Sequence, residues 1–253
     1  YLKIPGVKNV FVHPNAGDGG VALGAAFMAT PPEHRKRIIG RPLLSCGLGE
    51  AFNNQKILKA LKIFRDKVEY KERSDLVGYT VELLLKGKVV GWFQGRAEWG
   101  PRALGFRSVL ADPRKIEIKD RINDVLKNRE WFMPFAPSVL EEEGYKYFKN
   151  FVPSPFMTLT FDVIPGKEEL FPGALHIDNT ARPNSVNKKN NPLYYLLLRK
   201  WFTKTSLPII LNTSFNKHGL PIVNSPKDAI EHLIMGAVDE LLIGNFCVKR
   251  KFE

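Results

Sequence analysis

Short apolar runs alternate along this chain with segments whose apolar residues recur at helical spacing. That alternation restricts the fold to the α/β class with a mixed sheet. Residues 88–93 (KVVGWF), 108–111, 157–163 (MTLTFDV), 208–211 (PIIL) and the closing LLIGN to FCV read as strands. A helix is expected from about residue 54, with Ile57, Leu58, Leu61 and Phe64 on one side. Another is expected from about 74, with Leu76, Tyr79, Leu83 and Leu84 inward and Gly87 closing it, and others over 115–127 and 194–202. Ser225, Pro226 and Asp228 open a further helix, with an N-cap hydroxyl, a first-turn proline and an acid at the third position. At the start of the chain, 10–12 reads as a short strand, 17–20 as a tight glycine loop and 21–28 as a helix of small apolar residues.

The 253 residues suffice for one large domain or two small ones. A boundary is expected in the charged stretch 67–73, which divides the chain into 1–66 and 67–253. No run approaches the roughly 18 uncharged apolar residues of a membrane helix, so no membrane partner is expected. The opening YLKIPGVKNVF has no basic stretch leading into an apolar run. Cys46 and Cys247 lie far apart and in no metal-ligand spacing. Cys247 reads as a buried free thiol, which fits a reducing, cytoplasmic setting. A formal net charge of +12 points to an anionic partner, whether nucleic acid, a membrane surface or a phosphorylated small molecule. The basic residues are spread along the chain, which argues against a dedicated nucleic-acid tail.

Four segments carry candidate chemistry. In HPNAGDGGVALGAA (13–26), Gly19 and Gly20 let backbone amides approach a phosphate, and Asp18 at the tip is a candidate metal ligand. A tight turn with Asp18 as a helix cap is the plainer reading, and spacing alone favours it. In GRAEWGPRALGFRS (95–108), Arg96, Arg102 and Arg107 sit in a glycine-rich loop with one acid, Glu98. Guanidinium forks match phosphate and carboxylate, so this loop is a candidate anion site, with Glu98 available to pair with some of the arginines. In KNREWFMPFAPSVL (127–140), Lys127 and Arg129 either face one side of an extended segment or cap a helix C-terminus. In LNTSFNKHG (211–219), Asn212, Ser214 and Asn216 follow a buried strand, at the end where α/β sheets bind ligands. HIDNTAR (176–182), with Arg182, is a weaker fifth candidate.

Taken together and in this order, these segments, with PIVNSPKDAIE (221–231), resemble the O-carbamoyltransferases of nodulation-factor and antibiotic biosynthesis. The resemblance covers nearly the whole chain. It implies a YrdC-like mixed-sheet domain over 67–253, preceded in 1–66 by the closing part of a sugar-kinase/actin-type ATPase-like domain. It further implies that carbamoyl phosphate and ATP, with Mg²⁺, give carbamoyl-adenylate and pyrophosphate in the second domain. The first domain, which in the family holds a divalent metal, typically iron, then passes the carbamoyl group to a hydroxyl of a small-molecule acceptor.

Carried over, the family's Lys-x-Arg plus Ser-x-Asn signature falls on Lys127, Arg129, Ser214 and Asn216. Arg96, Arg102, Arg107, Asn212 and Arg182 are the further candidates for that pocket, and Gly19, Gly20 and Asp18 match the first domain's nucleotide loop and metal ligand. The family's His-x-x-x-His pair is absent from the sequence, so the chain is expected to be a C-terminal fragment with an incomplete metal site. Met133 stands where Arg is expected, Asn179 where Gly is, and Leu220 where Glu is. The alternative reading is an RNA-binding module of the same fold. The oligomeric state is left open, a homodimer among the options.

Overall fold

The computed structural model describes residues 4–7, 10–37, 43–128, 130 and 132–251. In chain order these form α1 (Asp18–Ala29), α2 (Pro32–Arg35), β1 (Gly47–Ala51), α3 (Asn54–Ile63), β2 (Val68–Glu72), α4 (Leu76–Leu85), β3 (Val90–Phe93) and β4 (Arg96–Glu98). They continue with β5 (Arg107–Ala111), α5 (Glu117–Ile122), β6 (Ala136–Leu140), β7 (Phe161–Asp162), β8 (Thr180–Ala181), β9 (Asn184–Val186) and α6 (Pro192–Thr205). The chain ends in β10 (Ile209–Ser214), α7 (Pro226–Ile234), β11 (Glu240–Ile243) and β12 (Phe246–Arg250).

Eight strands form one mixed sheet in the order β2-β12-β11-β3-β5-β10-β6-β9, parallel at β11–β3 and β6–β9 and antiparallel elsewhere. Strands β3, β5 and β11 are buried along their whole length, as strands covered on both faces must be. Side chains alternate between two cores. On one face Val109, Ile209, Leu211, Leu241 and Ile243 meet Ile57 and Leu61 of α3, Ile118 and Ile122 of α5, and Ile230 and Leu233 of α7. On the other, Trp92, Leu110, Ile210 and Leu242 meet Val77, Val81 and Leu84 of α4 and Leu197, Leu198 and Trp201 of α6.

Four helices are capped by side chains: Asn53 accepts from the Lys56 amide, Asp75 from Gly78, Asn191 from Tyr194, and Ser225 forms a reciprocal capping box with Asp228. The core extends to both sides of the charged stretch 67–73, because Ile57 and Leu61 are buried against the sheet. The strand expected at 10–12 does not form: these residues have no ladder partner among the described residues, and Phe11 is 72% exposed. The strand expected over 157–163 shrinks to β7, which pairs with β8, and a single bridge from Val163 to Phe148. Cys46 and Cys247 are both buried free thiols. Among the described residues no helix is long and apolar enough to cross a membrane.

Candidate functional site

The site begins where α5 stops being an α-helix. After Ile122 the backbone passes into one π-helical turn, Asn123–Lys127. It ends at Asn128, left-handed at φ 41°, whose amide donates to the Asn123 carbonyl at 2.7 Å. Such wide turns recur at functional sites because they redirect a side chain. Here the turn sends Lys127 inward, to 1% exposure. Its Nζ directs three protons among four oxygens within hydrogen-bond distance, the Ser214 carbonyl (2.7 Å), Ser214 Oγ (3.0 Å), the Asn216 carbonyl (2.9 Å) and Asn216 Oδ1 (2.8 Å). The Ser214 hydroxyl donates to Asn216 Oδ1 at 2.6 Å, and Asn216 Nδ2 donates to the Leu220 carbonyl at 2.7 Å. The His218 amide donates to the Leu126 carbonyl at 2.9 Å and closes the loop onto the turn. These four acceptors are neutral oxygens, so these contacts orient the ammonium at the end of β10 without themselves neutralising it. Lys127, Ser214 and Asn216 are thus brought together. Arg129, expected beside them, lies outside the described residues.

The arginine loop divides. Arg107, expected in an anion pocket, is instead fully buried. Its Nη1 donates to the Gln94 carbonyl (2.9 Å) and Nη2 to the Glu50 carbonyl (3.2 Å), while the guanidinium lies 3.6 Å over the Phe93 ring. Burial pulls its pKa down to about 10, against the raising effect of Glu98, so it stays charged at neutral pH as a brace between β1 and β3. Arg96 is exposed and donates through Nη2 to the Leu48 carbonyl at 2.9 Å. Arg102 is exposed and makes no hydrogen bond or ion pair among the described residues, so of the three it has its whole fork free for a ligand. Glu98 is a candidate partner for the arginine side chains. It takes backbone amides instead: its carboxylate accepts from Leu104, Phe106 and Arg107.

Asn212 is 1% exposed and joins β10 to this loop, its Nδ2 donating to the Ala103 carbonyl (3.0 Å) and Ser138 Oγ (2.9 Å). It therefore ties the walls of the site together instead of facing solvent. Trp92 and Asn191 brace the same loop, donating to the carbonyls of Gly105 and of Leu104 and Gly105, and nothing in sequence distinguishes such a Trp or Asn from an ordinary core or cap residue.

In the fifth motif Asp178 Oδ1 accepts from the Thr180 amide (3.0 Å) and hydroxyl (2.7 Å). With that hydroxyl proton directed to Asp178, His176 Nδ1 is the donor in its 2.8 Å contact with Thr180 Oγ1. Burial pulls the His176 pKa below the ordinary imidazole value, with nearby Asp178 opposing it and Arg182 adding to it. Arg182 is half-buried. Asn179 has φ 57°, so the substitution for Gly retains a residue that tolerates the left-handed conformation. Met133 and Leu220 are 45% and 44% exposed, and the Leu220 backbone supplies the contact to Asn216.

The first motif lies against the arginine loop. The His13 and Trp99 rings meet edge-on at 5.1 Å. Gly20 is required by its own turn, since a Cβ there would sit 2.1 Å from the Asn15 carbonyl oxygen, and a Cβ on Gly19 would meet the Asn15 side chain at 2.5 Å. Asp18 is exposed at the first position of α1. No cluster of three or more His, Cys, Asp or Glu able to hold a metal occurs among the described residues, so the iron implied by the resemblance has no ligand set there. Helix α1 buries none of its residues, and with His13 and Asn15 it borders an open depression of about 750 Å³.

A family model for the carbamoyltransferase C-terminus matches residues 81–250, from within α4 to the end of β12. The chain belongs to this carbamoyltransferase family. Nodulation protein NolO of Bradyrhizobium diazoefficiens is 39% identical over 254 residues, 96% of this chain and 45% of that relative. The 3'-hydroxymethylcephem-O-carbamoyltransferase of Streptomyces clavuligerus is 30% identical over 247 residues, 96% of this chain and 44% of that relative. The chain thus spans less than half the length of these two relatives. Among solved structures, full-length HypF in a phosphate- and nucleotide-bound form is similar over 73% of this chain and 22% of that one, at 18% identity and a TM-score of 0.48. That likeness is too loose to bear on the site.

Proposed function

We propose that this chain carries the carbamoyl-activating part of an O-carbamoyltransferase, in a YrdC-like sheet domain. The observation that carries this reading is the buried Lys127 ammonium held by Ser214 and Asn216 at the end of β10, with Arg102 unpaired on the loop that Asn212 ties to that strand. Fixed cations at a sheet end suit a reaction that brings together two phosphate-bearing anions, carbamoyl phosphate and ATP.

Atom balance defines the step. Carbamoyl phosphate, water and ATP give carbamoyl-adenylate, phosphate and pyrophosphate: water releases phosphate, a carbamate oxygen bonds to the α-phosphorus of ATP, and the bond to pyrophosphate breaks. ATP would arrive as its Mg²⁺ complex. Lys127 is assigned to hold negative charge building on the phosphoryl oxygens, with Ser214 and Asn216 fixing its position. Arg102 is assigned to the donor anion, with Arg129, Arg96 and Arg182 as further candidates.

Within 1–66, the residues before α3 are proposed to close a preceding transferase domain that passes the carbamoyl group to an acceptor hydroxyl, while α3 packs on the sheet. The uncovered apolar helix α1 supports this, and no step is assigned to a metal. Pyrophosphate release by the chain with MgATP, measured with and without carbamoyl phosphate, tests the activation step. Release that depends on carbamoyl phosphate supports it, and nucleotide binding without such release counts against it.

A further inference from the structure

The loop between β4 and β5 is an anion-binding nest whose anion belongs to the chain itself. The Leu104, Phe106 and Arg107 amides donate to Glu98 Oε1 at 2.8, 2.9 and 3.0 Å, and the Arg107 amide also reaches Oε2 at 3.1 Å. Amides converging on one point form the concavity that elsewhere holds phosphate or carboxylate. Here it is filled, so these amides are unavailable to a substrate phosphate.

The loop's carbonyls are fixed from the opposite side. Asn212 Nδ2 donates to Ala103, Asn191 Nδ2 to Leu104 (3.2 Å) and Gly105 (3.0 Å), and Trp92 Nε1 to Gly105 (3.0 Å). Gly105 has φ +85°, and a Cβ there would lie 2.2 Å from the Tyr194 ring, which locks the turn to that wall. All of this bracing falls on the backbone of 103–107, and the next residue upstream is the unpaired Arg102. Asn212 lies two positions before Ser214 on the same strand face, roughly 7 Å along it, so the tie to Ala103 joins the backbone next to Arg102 to the strand that carries Ser214.

We propose that Glu98 is a positioning residue for carbamoyl activation. Its carboxylate closes the 104–107 nest and so presents the Arg102 guanidinium to the anionic carbamoyl donor, without touching the reacting atoms. The proposal rests on the activation reading and deepens it. A preorganised guanidinium binds a donor anion without ordering the loop at that moment. Removing the carboxylate leaves three amides unsatisfied and lets the loop, and Arg102 with it, move.

The test is a double-mutant cycle on the full chain, with Glu98→Ala, Arg102→Ala and the pair. It reads carbamoyl phosphate affinity by calorimetry, and KM and kcat of carbamoyl-phosphate-dependent pyrophosphate release. Arg102→Ala is expected to weaken affinity and raise KM about tenfold or more, the scale of a lost charge-assisted contact. Glu98→Ala should raise KM similarly with little change in kcat, and the pair should be no worse than Arg102→Ala alone. Formate should restore Glu98→Ala by refilling the nest, and should leave Arg102→Ala unimproved.

Multiplying effects of the two substitutions would overturn the proposal, as would failure of formate to rescue a folded Glu98→Ala protein. Should Glu98→Ala not fold, Glu98→Gln keeps the side-chain volume and one acceptor and serves in the same cycle. Affinity that follows the cycle without any pyrophosphate release sinks the activation reading but sustains the positioning role. Release with additive effects sinks the positioning role alone, and a wild-type chain that neither binds nor reacts sinks both.

Discussion

Helices α1 and α7 stand in opposite relations to the rest of the molecule. Helix α7 opens on a reciprocal capping box and buries Ala229, Ile230, His232 and Leu233 against the sheet. Helix α1 has no side-chain cap and buries nothing, leaving Val21 67%, Leu23 50% and Met28 68% exposed. A helix apolar on all sides normally lies inside a larger body, and an isolated helix of this length is marginal in water. The sheet with α3 to α7 is therefore self-sufficient. Helix α1 is built for a surface that the described residues do not supply, and the carbamoyl-activating chemistry is assigned to the self-sufficient part.

The largest expected effect tests that assignment. Lys127→Ala removes the cation that four oxygens hold at the end of β10 and should cut carbamoyl-phosphate-dependent pyrophosphate release by about 10²–10³-fold, the range for a preorganised charge stabiliser. Initial rates at saturating ATP measure it. Unchanged turnover would move the chemistry out of the sheet body and break the contrast with α1.

Arg107→Ala follows, and its effect should fall on stability. It uncovers the carbonyls of Glu50 and Gln94 and empties the space over Phe93. A cost of about 3 kcal/mol is expected, seen in thermal unfolding as a drop of roughly 6–12 °C for a chain this size. Arg102→Ala, in the same loop but exposed, should leave Tm nearly unchanged. Equal shifts would show that the two arginines do not divide the structural and ligand-facing roles.

That division was not legible in the sequence, where the three arginines of the loop are equivalent. Only the fold shows that strand pairing of Arg107 opposite Phe93 carries one inward. Apolar spacing marks α3 and α4, and short apolar runs mark the central strands, because helices and strands that bury one face must repeat at their own spacing. The cap signature marks α7 instead, since hydroxyl, proline and acid stand in fixed register at Ser225, Pro226 and Asp228; periodicity fails at two places. It misplaced the strand at 10–12, where apolar residues lack a neighbour to pair with. It ran α5 straight to residue 127, since a single π turn leaves no periodic trace. The pairing of Lys127 with Ser214 and Asn216 came from the family resemblance. Spacing alone left Lys127 undecided between an extended segment and a helix cap.

A smaller effect tests the anchoring of α7. Burial pushes the Asp228 carboxyl up, but hydrogen bonds from Ser225 and Asn224 outweigh it and hold its pKa below the ordinary carboxylate value. Its folded pKa is thus below its unfolded one. The stabilisation is fully present above the unfolded value near pH 4 and is lost as pH falls through the folded value. Asp228→Asn should cost about 1 kcal/mol at neutral pH, and the gap in Tm between the two proteins should close in acid. A gap independent of pH would mean that the carboxylate charge contributes nothing to the cap.

The smallest expected effect bears most directly on the contrast between the helices. Val21→Gln with Leu23→Gln replaces apolar surface that α1 already exposes to water. Substitutions away from any packed feature stay within about 0.5 kcal/mol. In this chain, then, Tm and pyrophosphate release should both be unchanged. A clear loss of Tm would mean that α1 packs against the sheet body after all, and the two helices would no longer belong to different classes. In a longer chain that covers α1, the same pair should be costly, by about 2 kcal/mol or more, because each glutamine would then be buried without partners. The sign of that difference between the two lengths of chain decides whether the apolar surface of α1 is an interface or merely tolerated exposure.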